Sequence, residues 1–261
     1  MDLNLTGKVV VITGGSTGIG KQTALEFARE GCKVAICART SEKLEAAHME
    51  FEALGFELYT QVVDVTDIPA MKEFSKTVYE KFGSIDIWVN NAGGSYAKRI
   101  ADINEEDWEN QIGINLKAVF FGAQTAAHYM MEGKQGGVII NISSYAFVIP
   151  TPPRTLYAAA KTAVTNLTKT FAAEYAPYGI RVISIAPGMV DTELSRMVRK
   201  SSGKDDRAWA EDVSLGRLAK TEEIAKPIVF LSSDSSSYVT GVSLEISGGK
   251  LCVQKPADSW K

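Results

Sequence analysis

Tyr157 and Lys161 stand four residues apart in Tyr157-Ala158-Ala159-Ala160-Lys161, a stretch with helical composition. At 3.6 residues per turn they share one face, about 40° apart around the axis. An ammonium near a phenol favours the phenolate, so the pair is expected to bring the tyrosine down from its usual pKa of about 10. A tyrosine lowered in this way is a usable acid and base near neutral pH. The pattern alone is common on helix surfaces, and its weight comes from its company. Ser144 lies thirteen residues before Tyr157, just after the apolar run Val138 to Ile142. His48 and His128, the only histidines, fall on separate predicted helices away from any carboxylate motif and read as surface or packing residues.

Such side chains need a scaffold to hold them. Seven short apolar runs rich in β-branched residues recur: Val9 to Ile12, Val34 to Ile36, Leu58 to Val63, Ile85 to Val89, Val138 to Ile142, Val182 to Ile185 and Val242 to Ile246. Continuous rather than alternating hydrophobicity means burial on both faces, the pattern of a parallel sheet covered by helices. Segments of helical period fall between them, at Gly18 to Arg29, Ser41 to Leu54, Ile68 to Lys81, Glu105 to Met131, Leu156 to Ala176 and Glu222 to Leu231. The alternation predicts an α/β fold in one domain over 1–261: a Rossmann-type, doubly wound, seven-stranded parallel sheet with helices on both faces. Its ligand crevice should lie beyond the carboxyl ends of the strands. One irregular stretch, Met189 to Ser214, is expected to lie over that crevice, with helical patches at Thr192 to Lys200 and Asp206 to Val213.

The first strand runs through Thr13-Gly14-Gly15-Ser16-Thr17-Gly18-Ile19-Gly20 straight into a helix. Glycines at 14, 18 and 20 permit a tight turn, a close approach of backbone to a pyrophosphate and close packing of helix on strand. The helix N-terminus adds free N–H groups and its dipole. Strand, glycine turn and helix in that order point to a dinucleotide. The spacing is Gly-x-x-x-Gly-x-Gly, not the Gly-x-Gly-x-x-Gly of the common fingerprint.

Together with Asn90-Asn91-Ala92-Gly93 after the fourth run, Thr-Gly-x-x-x-Gly-x-Gly resembles the classical short-chain dehydrogenase/reductase family, and the likeness extends from Gly7-Lys8 to Ser247-Gly248-Gly249. The resemblance implies an oxidoreductase that interconverts a ketone and a secondary alcohol by hydride transfer with a nicotinamide cofactor, the reduction of 3-oxoacyl carrier-protein thioesters being the nearest named activity. It implies Tyr157 as acid/base, Ser144 as the donor that holds the reacting oxygen, Lys161 as the group that tunes Tyr157 and holds the nicotinamide ribose, and Asn115 as the holder of a relay water. It also implies a cofactor cradle of Gly14, Ser16, Thr17, Gly18, Ile19 and Gly20, with Asp64 and Val65 at the adenine. Asn91, Ala92 and Gly93 would join it after the fourth strand, and Pro187, Gly188, Val190 and Thr192 after the sixth. Asp64 or Asp67 could also cap the helix that begins at Ile68, and Asn115 could satisfy a helix kink. The family usually forms homotetramers through its two long helices, here Glu105 to Met131 and Leu156 to Ala176. That would bury Val119, Phe120, Phe121 and Phe171 between subunits, though core packing explains them equally. A catalytically silent dinucleotide-binding sensor is the other reading, and an intact Ser144, Tyr157, Lys161 and Asn115 speaks against it.

The end of the second strand bears on the form of the nicotinamide. An acid there would bind the ribose 2′-OH of NAD, whereas an arginine would pair with the 2′-phosphate of NADP. The chain has Cys37-Ala38-Arg39-Thr40, so NADP(H) is favoured over NAD(H), with Ser41 or Lys43 as helpers; otherwise Arg39 is a solvated residue opening a helix. Thr17 stands where NADP-preferring members often carry a second basic residue. The substrate pocket is expected among Gly94-Ser95-Tyr96, Tyr145 to Pro150 with Phe147, Arg154 and Met189. That lining is largely apolar with one cation and suits a medium-sized carbonyl or alcohol. Arg154 reads first as solvent-facing, and second as a partner for a substrate carboxylate or phosphate. An acidic carrier protein would need a basic entrance, and Tyr178 stands where carrier-protein reductases often have arginine.

The 261 residues carry 28 Lys+Arg against 31 Asp+Glu, a formal net charge of -3, which argues against unguided binding to nucleic acid or an anionic membrane. Cys32, Cys37 and Cys252 form neither a disulfide framework nor a zinc spacing. No run approaches the ~20 apolar residues of a membrane span, and Met1-Asp2-Leu3-Asn4 lacks the positive start of a signal peptide. A soluble, cytoplasmic protein without a metal is expected. The tail from Leu251 to Lys261 has no assignable role.

Overall fold

The computed structural model describes residues 2–149, 152–202 and 206–252; Pro150 of the expected pocket wall and the tail from 253 lie outside them. β1 (Val9–Thr13), β2 (Lys33–Ala38), β3 (Leu58–Val62), β4 (Ile87–Asn90), β5 (Gly137–Ile142), β6 (Ile180–Pro187) and β7 (Ser243–Ile246) form one sheet. Its order is β3-β2-β1-β4-β5-β6-β7, and every neighbouring pair is parallel. The order reverses at β1, so the crevice of a doubly wound sheet opens between the loops that follow β1 and β4. The sheet is a single Rossmann-type domain.

Successive residues of one strand feed different cores, which is why the apolar runs are unbroken. Val10, Ile12, Ile140 and Ile183 pack with Ala24 and Phe27 of α1 (Gly18–Arg29), Leu44 of α2 (Ser41–Ala53) and Ile228. Val9, Val11, Ile139 and Val182 face the other way, onto Met71 and Phe74 of α3 (Ile68–Phe82) and onto Ala123, Ala126 and Phe171. Each such Val, Ile or Phe stabilises the fold by about 1.5–3 kcal/mol when fully buried. Asp67, not Asp64, caps α3: its carboxylate accepts from the Ala70 N–H at 3.0 Å, Pro69 sits in the first turn, and Gly83 ends the helix in the left-handed region.

The single helix expected over Glu105 to Met131 is two. α4 (Glu105–Ile112) opens with an Asn104–Asp107 capping box, and α5 (Ala118–Gly133) follows a π-helical segment, Gly113–Lys117. Asn115, fully buried in that segment, causes the break. Its amide donates to the Gln111 carbonyl at 3.0 Å and the Gly94 carbonyl at 2.8 Å, and its Oδ1 accepts from the Gly94 N–H. The widened turn aims one side chain inward, at a cost in helix geometry that π-bulges commonly bear at functional sites.

α6 (Thr155–Tyr175) carries Tyr157 and Lys161 and lies against β6. Val119 and Phe171, expected as subunit-interface residues, belong to the core, while Phe120 and Phe121 are half-buried. The irregular stretch holds α7 (Glu193–Ser202) and α8 (Asp206–Ala210), followed by α9 (Glu222–Leu231). Its base is closed by hydrogen bonds from the Ala219 N–H to the Met189 carbonyl and from the Asp191 N–H to the Ala219 carbonyl. Asp191 takes Arg196 and Arg199 on its carboxylate, and these hold it well down, at about 2. Among the described residues no helix is long and apolar enough to cross a membrane.

Candidate active site

A cavity of about 550 Å³ opens at the carboxyl ends of the strands. Gly14, Ser16, Thr17, Gly18 and Ile19 line one end, and Tyr145, Arg154, Met189 and Trp209 the other. Ser144, Tyr157, Lys161 and Asn115 lie between.

The glycine end is built by close contact. Gly14 and Gly18 have φ of +64° and +57°, a conformation that L side chains rarely adopt. A Cβ on Gly20 would press into the Gly14 carbonyl oxygen and the Asn91 amide, so helix and turn meet only through glycine. Asn91 locks this turn rather than merely facing a ligand: its Nδ2 donates to the Thr13 and Gly14 carbonyls at 3.0 and 2.9 Å. Thr13 Oγ1 in turn accepts from the Asn91 and Ala92 N–H groups, a contribution that the motif spacing does not reveal. Thr17 is the N-cap of α1 but makes no side-chain cap, so the first-turn N–H groups are left for whatever the cavity takes. Thr192 faces Gly18 across the opening.

Arg39 reaches the same end with its side chain 65% exposed, tied only to Asp64 at 4.0 Å. Lys43, an expected helper, is engaged with Glu193 at 3.3 Å. Asp64 itself does not line the cavity; it binds the Thr66 N–H and hydroxyl, while Val63 and Val65 on either side form the wall. Cys37 is buried behind the turn, and burial pushes its thiol up to about 12, so it is no nucleophile.

At the centre, Ser144 follows β5; its Oγ accepts from the Ala146 N–H at 3.2 Å, and its hydroxyl favours the ionised form of the Tyr157 phenol. Lys161 is 3% exposed; its ammonium donates to the Ile142 carbonyl at 2.8 Å and lies 5.6 Å from the Tyr157 ring centre. Burial brings the lysine down to about 8. The expected lowering of Tyr157 by Lys161 does not occur. Burial of the phenol raises it above its ordinary value, against the opposing pull of the Ser144 hydroxyl and the Arg154 charge. Asn115 Oδ1 and Lys161 Nζ both face Gly93, where an added Cβ would lie 3.0 and 3.5 Å from them. Ser143, one residue from the expected spacing, binds elsewhere: its hydroxyl donates to the Lys161 backbone carbonyl at 2.9 Å and fastens α6 to the end of β5.

At the far end, Ser95, Tyr145, Arg154 and Met189 line the cavity, and Pro187, Gly188 and Val190 continue the wall after β6. Tyr96 and Phe147 do not. The Tyr96 hydroxyl donates to the Asp107 carboxylate on α4, and Phe147 gives its carbonyl to Thr162. Arg154, first read as solvent-facing, is half-buried in the wall. The irregular stretch supplies wall residues that no motif marked: Leu194 and Met197, three apart on α7, and Trp209 on α8. His48 and His128 sit away from the cavity, against the Leu58 carbonyl and Glu132 respectively.

A parallel sheet of this order, with a glycine turn at its reversal and a half-buried Tyr and a buried Lys and Ser beside it, defines a dinucleotide-dependent oxidoreductase. Residues 8–203 match the family described as short chain dehydrogenase. The chain is 41% identical over 95% of its length, and 99% of the relative's, to the 3-oxoacyl-[acyl-carrier-protein] reductase FabG of Thermotoga maritima. It is 38% identical to 3beta-hydroxysteroid dehydrogenase 1 of Eggerthella lenta, over 94% of each chain. The crystal structure of a short-chain type dehydrogenase/reductase from Mycobacterium marinum superposes with a TM-score of 0.91 at 35% identity, covering 97% of this chain and 98% of that one. The chain belongs to the short-chain dehydrogenase/reductase family, oxidoreductases of alcohol and carbonyl groups that use a nicotinamide dinucleotide.

Proposed function

We propose that the chain is an NADP(H)-dependent oxidoreductase that interconverts a small-molecule ketone and its secondary alcohol, with Tyr157 exchanging the proton at the reacting oxygen. The observation that carries this reading is the placement of Ser144, Tyr157, Lys161 and Asn115 in one cavity with the glycine turn. The residues present fit the cofactor. The left-handed glycines form a cradle that side chains would fill, above an uncapped helix N-terminus. Gly14 to Gly20 would take the pyrophosphate, Val65 the adenine, and Arg39 a 2′-phosphate. Asn91 to Gly93, Lys161, Pro187, Gly188, Val190 and Thr192 would surround the nicotinamide riboside. When bound, the nicotinamide supplies or accepts the hydride.

In the reductive direction the Ser144 hydroxyl donates to the carbonyl oxygen and polarises it, and Tyr157 gives that oxygen its proton. Asn115 and Lys161, both facing Gly93, form the path by which Tyr157 regains it. The burial that raises Tyr157 keeps it protonated at neutral pH, the form that reduction needs. Oxidation needs the phenolate, so the oxidative rate should climb as pH approaches and passes the ordinary tyrosine range. Tyr157→Phe tests the assignment: NADPH oxidation with a panel of ketones should fall at least ~1,000-fold while NADPH affinity, measured by fluorescence titration, stays within about threefold. Activity that survives the change would remove Tyr157 from this role. A wild type that binds NADPH and reduces no ketone would favour the silent-sensor reading.

The 41% identity with a carrier-protein reductase favours a second reading, reduction of 3-oxoacyl thioesters. Parallel assays with a 3-oxoacyl carrier protein and with free ketones separate the two. Phe120 and Phe121, with Ile112, Leu116 and Leu167, line a second hollow of about 550 Å³ between the long helices. That apolar surface supports assembly into a homotetramer. Three free cysteines support a cytoplasmic setting.

A further inference from the structure

Arg154 is a cavity-lining cation to which no acid comes within ion-pair distance among the described residues. The other cations at this cavity are committed: Arg199 to Asp191 at 2.6 Å, Lys43 to Glu193, Arg39 loosely to Asp64, Lys161 to the Ile142 carbonyl. Among the described residues Glu193 is the one acid in the lining, and Lys43 pairs with it. Nor does Arg154 serve its own helix. It occupies the N-cap of the 21-residue α6 without making a cap hydrogen bond, and a cation there opposes the helix dipole.

Ser95 offers an independent sign. Its hydroxyl oxygen is fully enclosed and has no hydrogen-bond partner among the described residues, although the residue lines the same cavity. Buried hydroxyls are almost always paired, and one left open beside a cavity points to a missing polar group. The loop after β4 that carries Ser95 runs against the segment before Arg154, where the Lys98 N–H donates to the Pro153 carbonyl at 2.9 Å. Ser95 and Arg154 both line the cavity, on two segments that this hydrogen bond ties together. Met189, Met197 and Trp209 add apolar wall to the same cavity.

We propose that the substrate is an anionic ketone with an apolar body, a keto acid or its hydroxy acid, whose carboxylate is taken by Arg154 and Ser95. The proposal rests on the ketone/alcohol reading and names its substrate class. In reduction the keto carbon gains the hydride from NADPH, its oxygen gains the Tyr157 proton, and the carboxylate is left unchanged at the far end. Arg154 is the specificity-determining group, because a guanidinium pairs with a carboxylate through two parallel N–H···O bonds and has no such partner in an amide or ester.

The test compares apolar keto acids of increasing chain length, such as 3-oxohexanoate and 3-benzoylpropionate, with their primary amides, in the wild type and in Arg154→Gln and Ser95→Ala. The wild type should prefer the acid over its amide by about 10- to 100-fold in kcat/KM, mostly through KM. In Arg154→Gln that ratio should collapse to near one, and Ser95→Ala should lower it severalfold. Equal or better turnover of the amides by the wild type, or an unchanged ratio in Arg154→Gln, would overturn the proposal while leaving the oxidoreductase reading intact. If no ketone is turned over, thermal shift of the NADPH-loaded protein by the same carboxylates decides. Arg154-dependent stabilisation upholds the anion site without the redox reading, and its absence removes both.

Discussion

A Cβ on Gly14 would come within 2.8 Å of Ala92 Cα, and one on Gly20 would overlap Gly14's carbonyl oxygen, whereas at the other end of the same cavity a Cβ on Gly94 would meet nothing within 4 Å. The glycine end is backbone packed on backbone, with Asn91 and Thr13 spending their hydrogen bonds on the turn itself. The far end is assembled from side chains of separate loops, and keeps one enclosed hydroxyl, that of Ser95, without a partner among the described residues. The first construction admits one ligand shape and resists change. The second lets a chain alter its substrate without disturbing its sheet. Lys161 stands where the two meet, its ammonium buried and brought down to about 8 by that burial.

Lys161→Met should have the largest effect. Ketone reduction should fall by at least ~100-fold, because the proton path and the positive charge beside Tyr157 are lost. Stability should move the opposite way. The folded-state pKa of about 8 lies below the 10.5 of an ordinary lysine, so below pH 8 the residue is charged in both states and the fold carries the full cost of burying it. Between pH 8 and 10.5 the unfolded chain binds more protons, and stability rises with pH; above 10.5 the cost is gone. The variant should therefore be more stable than the wild type at pH 7, by on the order of 1–3 kcal/mol, with the difference vanishing by pH 10.5. Denaturant unfolding at the two pH values checks this. A variant less stable than the wild type at pH 7 would mean that the buried ammonium is a net stabiliser of the fold.

Gly20→Ala should come next, and it tests the contrast between the ends directly. The new methyl meets backbone and a locked amide, neither of which can step aside, so α1 must shift from the turn. Overpacking of this kind costs about 1–3 kcal/mol, and NADPH affinity should fall at least ~10-fold. Gly94→Ala, with open space around it, should change stability by less than about 0.5 kcal/mol. Titration of NADPH and urea unfolding of both variants provide the comparison. Equal losses in the two would show that the ends are not built differently.

The same contrast explains what the sequence made legible. The seven strands, the glycine turn and the shared face of Tyr157 and Lys161 follow from local patterns: buried runs, a turn that only glycine can make, and a four-residue spacing on one helix; Asn115 and the role of Ser144 came from the family resemblance. Quantities set by three-dimensional surroundings did not. Spacing put Lys161 on the face of Tyr157 but could not show that Lys161 is buried and that the phenol is desolvated, and that desolvation reversed the expected shift of the phenol. Periodicity ran straight through Asn115 because a π-helical turn changes the backbone without changing which residues are apolar. Arg154 looked solvent-facing because a single charged residue before a helix carries no record of the loop that will lie against it. Ser143 and Ser144 are adjacent and chemically alike, and only the alternation of sides after β5 sends one to the Lys161 carbonyl and the other to the Tyr157 phenol.

Arg39→Asp should have the smallest effect on the fold among the cavity substitutions that alter binding, because the side chain it removes is the least confined group at the otherwise rigid end. Arg39 is mostly exposed and its one ion pair, to Asp64, is 4.0 Å long. Such a pair adds little to folding, so stability should change by no more than about 0.5 kcal/mol. Binding is a different matter. A guanidinium at the end of β2 can pair with a 2′-phosphate, while a carboxylate there repels that group and accepts a hydrogen bond from a 2′-OH. Because the group faces solvent and is screened by salt, the expected change is roughly tenfold in each direction: kcat/KM falls for NADPH and rises for NADH. Steady-state kinetics with both cofactors at low and at 0.5 M salt measure it, the discrimination shrinking at the higher salt. If the ratio of the two kcat/KM values stays where the wild type has it, the 2′-phosphate is read elsewhere, and Arg39 is simply the solvated residue that opens α2.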